Sequence, residues 1–142
     1  MIYTKLTKTA MRIAFEAHKE QTDKCGVPYV FHPIHLAEQM TDEVTTCAAL
    51  LHDVVEDTYI TFEDLSAAGF PAEVIDALRL LTHDPAVTYM DYVREIKKNP
   101  VATAVKLADL RHNSDLTRLD VVDEKAIART EKYAEAMRIL EE

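Results

Sequence analysis

Cys47-Ala48-Ala49-Leu50-Leu51-His52-Asp53-Val54-Val55-Glu56-Asp57 is the stretch on which the reading of this chain turns. Its first half is apolar on every side. That pattern marks a helix buried all round rather than one lying on a surface. The spacing predicts it over 43–54, with Asp42 as N-cap. The run then stops in one imidazole and three carboxylates within six residues. Carboxylates next to a buried helix are costly unless paired or bound to a metal ion. Glu56 lies four residues beyond His52, and Asp57 four beyond Asp53. If the helical turn continues, each falls near the same end of the same face. For Glu56-Asp57 alone, a solvated acidic helix end is the better reading. Joined to His52-Asp53 and an apolar run, the group reads first as a cation site.

Working outward, helical periodicity recurs along almost the whole chain. A first helix is predicted over 4–21, with Leu6, Ala10, Ile13, Ala14 and Ala17 on its inner face. Asp23 to Tyr29 reads as a loop in which Gly26 takes a positive φ. His32 precedes Pro33, which places it at the entrance of a short helix over 33–41. Thr61 and Asp64 form a capping box opening a helix over 62–68 that Gly69 closes. Pro71 starts another over 71–82, and one more covers 88–98. Asn99-Pro100 reads as N-cap and first position of a helix over 100–113. Asp123 caps the last, over 124–141, with Ile127, Tyr133, Met137 and Leu140 expected to face inward. No strand, repeat or linker is suggested. The fold class expected is all-α, a single-domain bundle of about eight helices over 1–142.

Composition agrees. A chain of 142 residues with 48% hydrophobic and 29% charged residues is of one-domain size and has enough apolar material for a core. Two glycines and five prolines are too few for a turn-rich β sandwich or barrel. A net charge of −9 opposes a duplex interface and an anionic membrane surface. It still allows a small phosphorylated ligand wherever a metal ion or local lysines supply positive charge. Cys25 and Cys47 form neither a disulfide framework nor a zinc motif. The N-terminal residues carry no apolar signal region, and a reduced, cytoplasmic protein is expected.

Two further groups bear on chemistry. In Val105-Lys106-Leu107-Ala108-Asp109-Leu110-Arg111-His112-Asn113, Asp109 sits among apolar residues with Asn113 at i+4 on its own face. Asp109 is a candidate ligand, with Asn113 facing a substrate. The alternative is a surface ion pair with Lys106 or Arg111. His112 is a lesser candidate, read as packed or as backing another group. The other group is His32, with Lys24 eight residues before it in the glycine-containing loop. His18, His35 and His83 read as structural.

The order His, then His-Asp, then Asp resembles the HD phosphohydrolase superfamily. Within it, the chain is similar to the hydrolase domain of the RelA/SpoT type and its stand-alone form, the small alarmone hydrolases. The resemblance covers about Met11 to Leu119. It rests on Ala17-His18-Lys19-Glu20-Gln21, on Gly26-Val27-Pro28-Tyr29 with His32-Pro33, on Ala49 to Thr58 with its HDxxED string, and on Val105 to Asp109 with His112-Asn113. No synthetase domain is expected after these helices. The resemblance implies that His32, His52, Asp53 and Asp109 are metal ligands, with manganese the usual ion. Imidazole plus carboxylate also suits other divalent metals. It implies that Glu56 and Asp57 position and deprotonate the attacking water, and that Lys24 and Asn113 contact the substrate. The reaction implied is release of pyrophosphate from the ribose 3′ position of ppGpp or pppGpp.

Two places depart from the family pattern. Asp23 stands where an arginine commonly precedes the loop lysine, and Asp115 where an arginine commonly follows Asn113; Leu110-Arg111 also inverts the usual order. Aspartate neither stacks on a base nor donates to phosphate. Tyr29, Arg111 and Lys97-Lys98 are the candidates to replace the missing contact. Three functions stay open: a (p)ppGpp pyrophosphohydrolase, a hydrolase of the same metal chemistry acting on another nucleotide or phosphoester, and a non-catalytic metal- or nucleotide-binding sensor. Clustered carboxylates at Glu56-Asp57 speak against the last, since a binding module gains nothing from them.

Overall fold

Side-chain caps set most of the helix starts. Thr4 closes a capping box with Thr7 at the head of α1 (Lys5–His18). Asp42 accepts from the Thr45 amide at 2.8 Å to open α3 (Glu43–Leu51). Thr61 and Asp64 cap each other at α5 (Phe62–Ala67). Asn99 accepts from the Ala102 amide at 3.0 Å ahead of Pro100, which begins α8 (Pro100–Asn113). Asp123 accepts from the Ala126 amide at 2.8 Å to open α9 (Glu124–Glu141). Each such cap satisfies one otherwise orphaned helix N–H and is worth about 1 kcal/mol. The remaining helices are α2 (Phe31–Glu38), α4 (Val54–Asp57), α6 (Ala72–Leu81) and α7 (Tyr89–Lys97), with a 3-10 turn at Leu116–Arg118. The computed structural model describes Met1–Glu142.

The architecture is all-α, nine helices with α3 at the centre and no strand beyond one isolated bridge between Thr22 and Pro28. Every residue from Thr45 to Leu51 is buried, as its all-round apolar run predicts. α1, α2, α6 and α8 pack against it, while α9 lies across α7 and α8. Leu36, Leu50, Leu51, Leu78 and Leu110 are fully enclosed. Burying each contributes about 1.5–3 kcal/mol before entropy is counted. No helix is long and apolar enough to cross a membrane.

Several bounds differ from the sequence expectation. α3 ends at Leu51, not residue 54, because Asp53 leaves helical geometry at φ −106°, ψ 0° and a separate turn, α4, begins at Val54. The helix is thus interrupted at Asp53, directly after His52. α2 starts at Phe31, so His32 lies inside its first turn rather than at its entrance. α1 ends at His18. Ile127 is 47% exposed, against the expected inward position. The buried stripe of α9 runs through Ala126, Ala136 and Leu140, and Ile127 stands one residue, about 100°, round from Ala126. Gly26 has φ +81°, as the loop requires. Its amide donates to the Asp23 carbonyl at 3.1 Å, closing the turn.

Candidate metal centre and its cavity

His52 follows the last residue of α3 in helical geometry and faces Asp109 on α8. Its Nδ1 lies 2.8 Å from the Ala49 carbonyl, which can only accept, so the proton sits on Nδ1 and Nε2 is turned into the site. There Nε2 is 2.9 Å from Asp53 Oδ2 and 3.6 Å from Asp109 Oδ1. Neither approach has hydrogen-bond geometry, and Nε2 is a buried nitrogen without a partner. From α2, His32 Nε2 reaches the same Asp109 Oδ1 at 2.9 Å. The donor atoms of His32, His52 and Asp109 lie within 4.8 Å of one another, and all three side chains are buried. Asp53, Glu56 and Asp57 form a second group under the same limit, joined to the first through the His52–Asp53 approach.

Electrostatics follow from burial and these neighbours. Burial pushes His52 toward neutrality, but Asp53 and Asp109 overcome it and favour a proton there. Burial also lowers His32, against the pull of Asp109. Desolvation would raise the Asp109 carboxyl, yet Lys106 and the two imidazoles hold it well below the usual carboxylate range. Asp57 is pushed up to about 6 by burial and by the charges of Asp53 and Glu56. Two imidazole nitrogens and carboxylate oxygens converging in one buried corner are a donor set that suits a divalent cation. Such an ion would take the place that a proton on His52 otherwise fills.

The surrounding residues hold these groups in place. The Tyr29 hydroxyl donates to Asp53 Oδ2. Lys106 Nζ lies 2.9 Å from Asp109 Oδ2, and the Asn113 amide donates to Asp109 Oδ1 at 3.0 Å. The Lys106 partner expected for a surface pair is therefore present, but the pair is buried; Arg111 instead reaches Glu141 at 3.2 Å on the outer surface. Glu56 Oε1 accepts from the His83 amide at 2.7 Å, which ties α4 to the loop after α6. His18 is buried beside Tyr29, with ring centroids 5.0 Å apart, in keeping with its structural reading.

A cavity of about 320 Å³ opens beside the cluster. Tyr29 and Asn113, which bond the two acids, form part of its wall, with Lys24 in the loop above. Sequence reasoning missed three more lining residues, Arg118, Arg129 and Tyr133, as ligand-facing groups. Arg118 lies in the 3-10 turn after α8 and Arg129 and Tyr133 lie on α9, so no local spacing links them and only the fold collects them. The acids at the departures are used internally. Asp23 Oδ1 accepts from the amides of Cys25 at 2.8 Å and Val27 at 3.0 Å, and its Oδ2 faces Arg118 at 4.0 Å. Asp115 accepts from the Thr117 amide at 3.0 Å, capping the 3-10 turn. Of the candidates to replace the missing arginine, Arg111 does not line the cavity. Lys97 and Lys98 do not either; they lie toward Glu142 and Glu95 on the surface. Tyr29 lines it, with its hydroxyl occupied by Asp53.

Comparison with known proteins identifies the family. A zebrafish (Danio rerio) protein named guanosine-3′,5′-bis(diphosphate) 3′-pyrophosphohydrolase MESH1 is 37% identical over 122 residues, covering 76% of this chain and 67% of the relative. The bifunctional (p)ppGpp synthase/hydrolase SpoT of Escherichia coli is 32% identical over 123 residues, which span 77% of this chain and only 18% of that protein. A solved structure, described as a metazoan orthologue of SpoT that hydrolyses ppGpp, superposes with a TM-score of 0.73 at 28% identity, covering 99% of this chain and 85% of that one. The family model for the HD domain matches residues 10–139, and the chain, which carries the His52-Asp53 pair within that range, belongs to the HD-domain family.

Proposed function

We propose that the chain is a metal-dependent hydrolase that removes pyrophosphate from the 3′ position of (p)ppGpp. The observation that carries the reading is the buried, unpartnered His52 Nε2 facing Asp53 and Asp109 with His32 beside them. A cluster built so, beside a cavity lined by Lys24, Arg118 and Arg129, suits an anionic substrate. The relatives' names supply the substrate class. In this reading His32, His52, Asp53 and Asp109 hold one divalent ion, Mn²⁺ in the first instance, and residues 1–142 act as one domain.

The ion supplies Lewis-acid polarisation of a phosphoryl oxygen and lowers the pKa of the attacking water. The chain's own side chains do the rest. Asp57, clustered with Asp53 and Glu56 beside the ion's place, takes the proton of that water. Glu56, tethered to the His83 amide, orients it. Lys24 binds phosphate at the cavity mouth, and Asn113 bridges Asp109 and the substrate. The two free cysteines are in keeping with a reducing, cytoplasmic setting.

A second reading, the same chemistry on another phosphorylated nucleotide, is favoured by one observation: Asp23 and Arg118 face each other where a base-reading arginine was expected in the loop. One experiment separates the two. Protein loaded with Mn²⁺ is given ppGpp and a panel of nucleoside polyphosphates, with a chelated control, and the products are identified. Pyrophosphate and GDP from ppGpp are expected. Inertness toward ppGpp with turnover of another nucleotide selects the second reading, and no turnover at all overturns both.

A further inference from the structure

The two imidazoles of His32 and His112 lie in nearly one plane, 6° apart, with centroids separated by 5.0 Å. Their Nδ1 atoms are 2.7 Å apart. Two nitrogens at that distance share one proton, so one ring donates and the other accepts. The opposite nitrogen of His32, Nε2, is the one aimed at Asp109 Oδ1 and the proposed cation. We infer that His112 is a positioning residue that sets the tautomer and orientation of His32 for metal binding. The inference rests on the metal reading given above and adds a residue to it.

The hydrogen-bond logic closes on neutral rings. A cation at Nε2 of His32 needs the lone pair there, so the ring proton must sit on Nδ1 and point at His112 Nδ1. His112 then accepts at Nδ1 and carries its own proton on Nε2. With no cation, His32 donates from Nε2 to Asp109 and His112 donates from Nδ1 to His32. Both arrangements hold one proton per ring, so the pair changes tautomer without gaining or losing a proton. A backbone carbonyl in this place could only accept; an imidazole serves both states. Metal-bound histidines are commonly held this way through their second nitrogen, by a carboxylate, a carbonyl or water. Here the holder is another histidine.

The structure fixes His112 from two further sides. The ring of His35 stacks on it at a centroid distance of 4.0 Å and 27°. The Arg118 guanidinium donates to its carbonyl at 3.0 Å. His35 itself is exposed, so its ring acts as a cover over His112 rather than as a ligand.

The test reads metal, not turnover. Mn²⁺ is titrated into the metal-stripped full chain, and free ion is followed by electron paramagnetic resonance for wild type, His112→Phe and His112→Asn. Phenylalanine keeps a ring under His35 but offers no nitrogen. Asparagine places an amide atom near the position of Nδ1. One ion per wild-type chain is expected, with affinity about 10–100-fold weaker in His112→Phe and largely restored in His112→Asn. Wild-type affinity in His112→Phe overturns the inference, as does equal weakening in both variants, which would mark a packing role. Failure of the wild type to hold an ion overturns the metal reading itself, and this one with it. A second measurement needs no variant: the imidazole ¹⁵N spectrum of the Zn²⁺-loaded wild type should show His32 protonated at Nδ1. An unprotonated Nδ1 overturns the inference.

Discussion

Lys106 Nζ holds one oxygen of Asp109 at 2.9 Å while the other oxygen of the same carboxylate faces His32 Nε2 at 2.9 Å. The two lobes of one side chain are thereby divided between a permanent cation and the candidate metal corner. Lys106 and Asp109 are three residues apart on α8, so a single helical turn sets the arrangement. The ammonium also lies over Tyr92 at 5.2 Å and Tyr89 at 5.8 Å, so its stem and head are enclosed by aromatic rings. A carboxylate buried to 6% exposure is tolerable because this charge is already in place.

Lys106→Met should therefore destabilise the metal-free chain. The substitution keeps the apolar stem and strips one oxygen of this buried acid of its cation, a loss of about 3–5 kcal/mol. Denaturant unfolding of the stripped protein measures it. Unchanged stability would mean that water reaches Asp109 and that the pair is not a buried one.

Glu56 and Asp109 should separate cleanly in two assays. Glu56→Gln keeps an acceptor for the His83 amide, so fold and bound metal should persist. Turnover of ppGpp should fall about 10²-fold, the range for misplacing a reacting group. Asp109→Ala should instead release the ion. Metal analysis after gel filtration, beside a product assay, distinguishes them, and metal loss in Glu56→Gln would contradict the role given to Glu56.

Where the sequence was legible, the signals were local. Asp42, Thr61, Asn99 and Asp123 announce helix starts because an N-cap acts on an amide two or three residues away. The apolar run of α3 announces burial for the same reason. Asp53 breaking that helix was not visible, since nothing in Leu51-His52-Asp53-Val54 forbids another turn. Nor was Tyr29 on Asp53, or His32 against His112, 80 residues apart. Contacts of that span leave no periodicity. The pairing of His32 with Asp109 could be anticipated only through the family resemblance. Arg118 went unread because its place on the cavity wall depends on the 3-10 turn that Asp115 caps.

Arg118 and Arg111 offer a matched pair for testing that wall. Arg118 Nη1 donates to Asn113 Oδ1 at 3.2 Å, and its side chain borders the cavity; Arg111 points outward to Glu141. Arg118→Gln should weaken nucleotide binding by roughly 10–100-fold, the loss of one charge-assisted contact of about 1.5–3 kcal/mol. Arg111→Gln should leave it unchanged. Calorimetric titration with GDP reads both, and equal behaviour of the two variants would remove Arg118 from the site.

Metal-stripping should also show in stability. An ion that binds only the folded chain stabilises it by about 2.7 kcal/mol at a hundredfold excess over its dissociation constant. The midpoint of thermal unfolding should rise on adding Mn²⁺ and fall back with chelator. A chain whose midpoint ignores the ion does not bind it in the folded state.

The two cysteines provide a probe of the cavity that involves no mutation. Cys47 is fully buried in α3, and burial pushes its thiol up to about 12, so at pH 8 it is neither accessible nor a thiolate. Cys25 is partly exposed in the loop that borders the cavity, beside Lys24. A thiol reagent should therefore modify one cysteine per native chain and two after denaturation. Nucleotide in the cavity covers the loop, so GDP should slow the single native reaction severalfold without altering the denatured count. Two fast thiols in the native chain would mean that α3 is not enclosed as described. A native rate indifferent to saturating nucleotide would place the ligand away from the Asp23–Tyr29 loop.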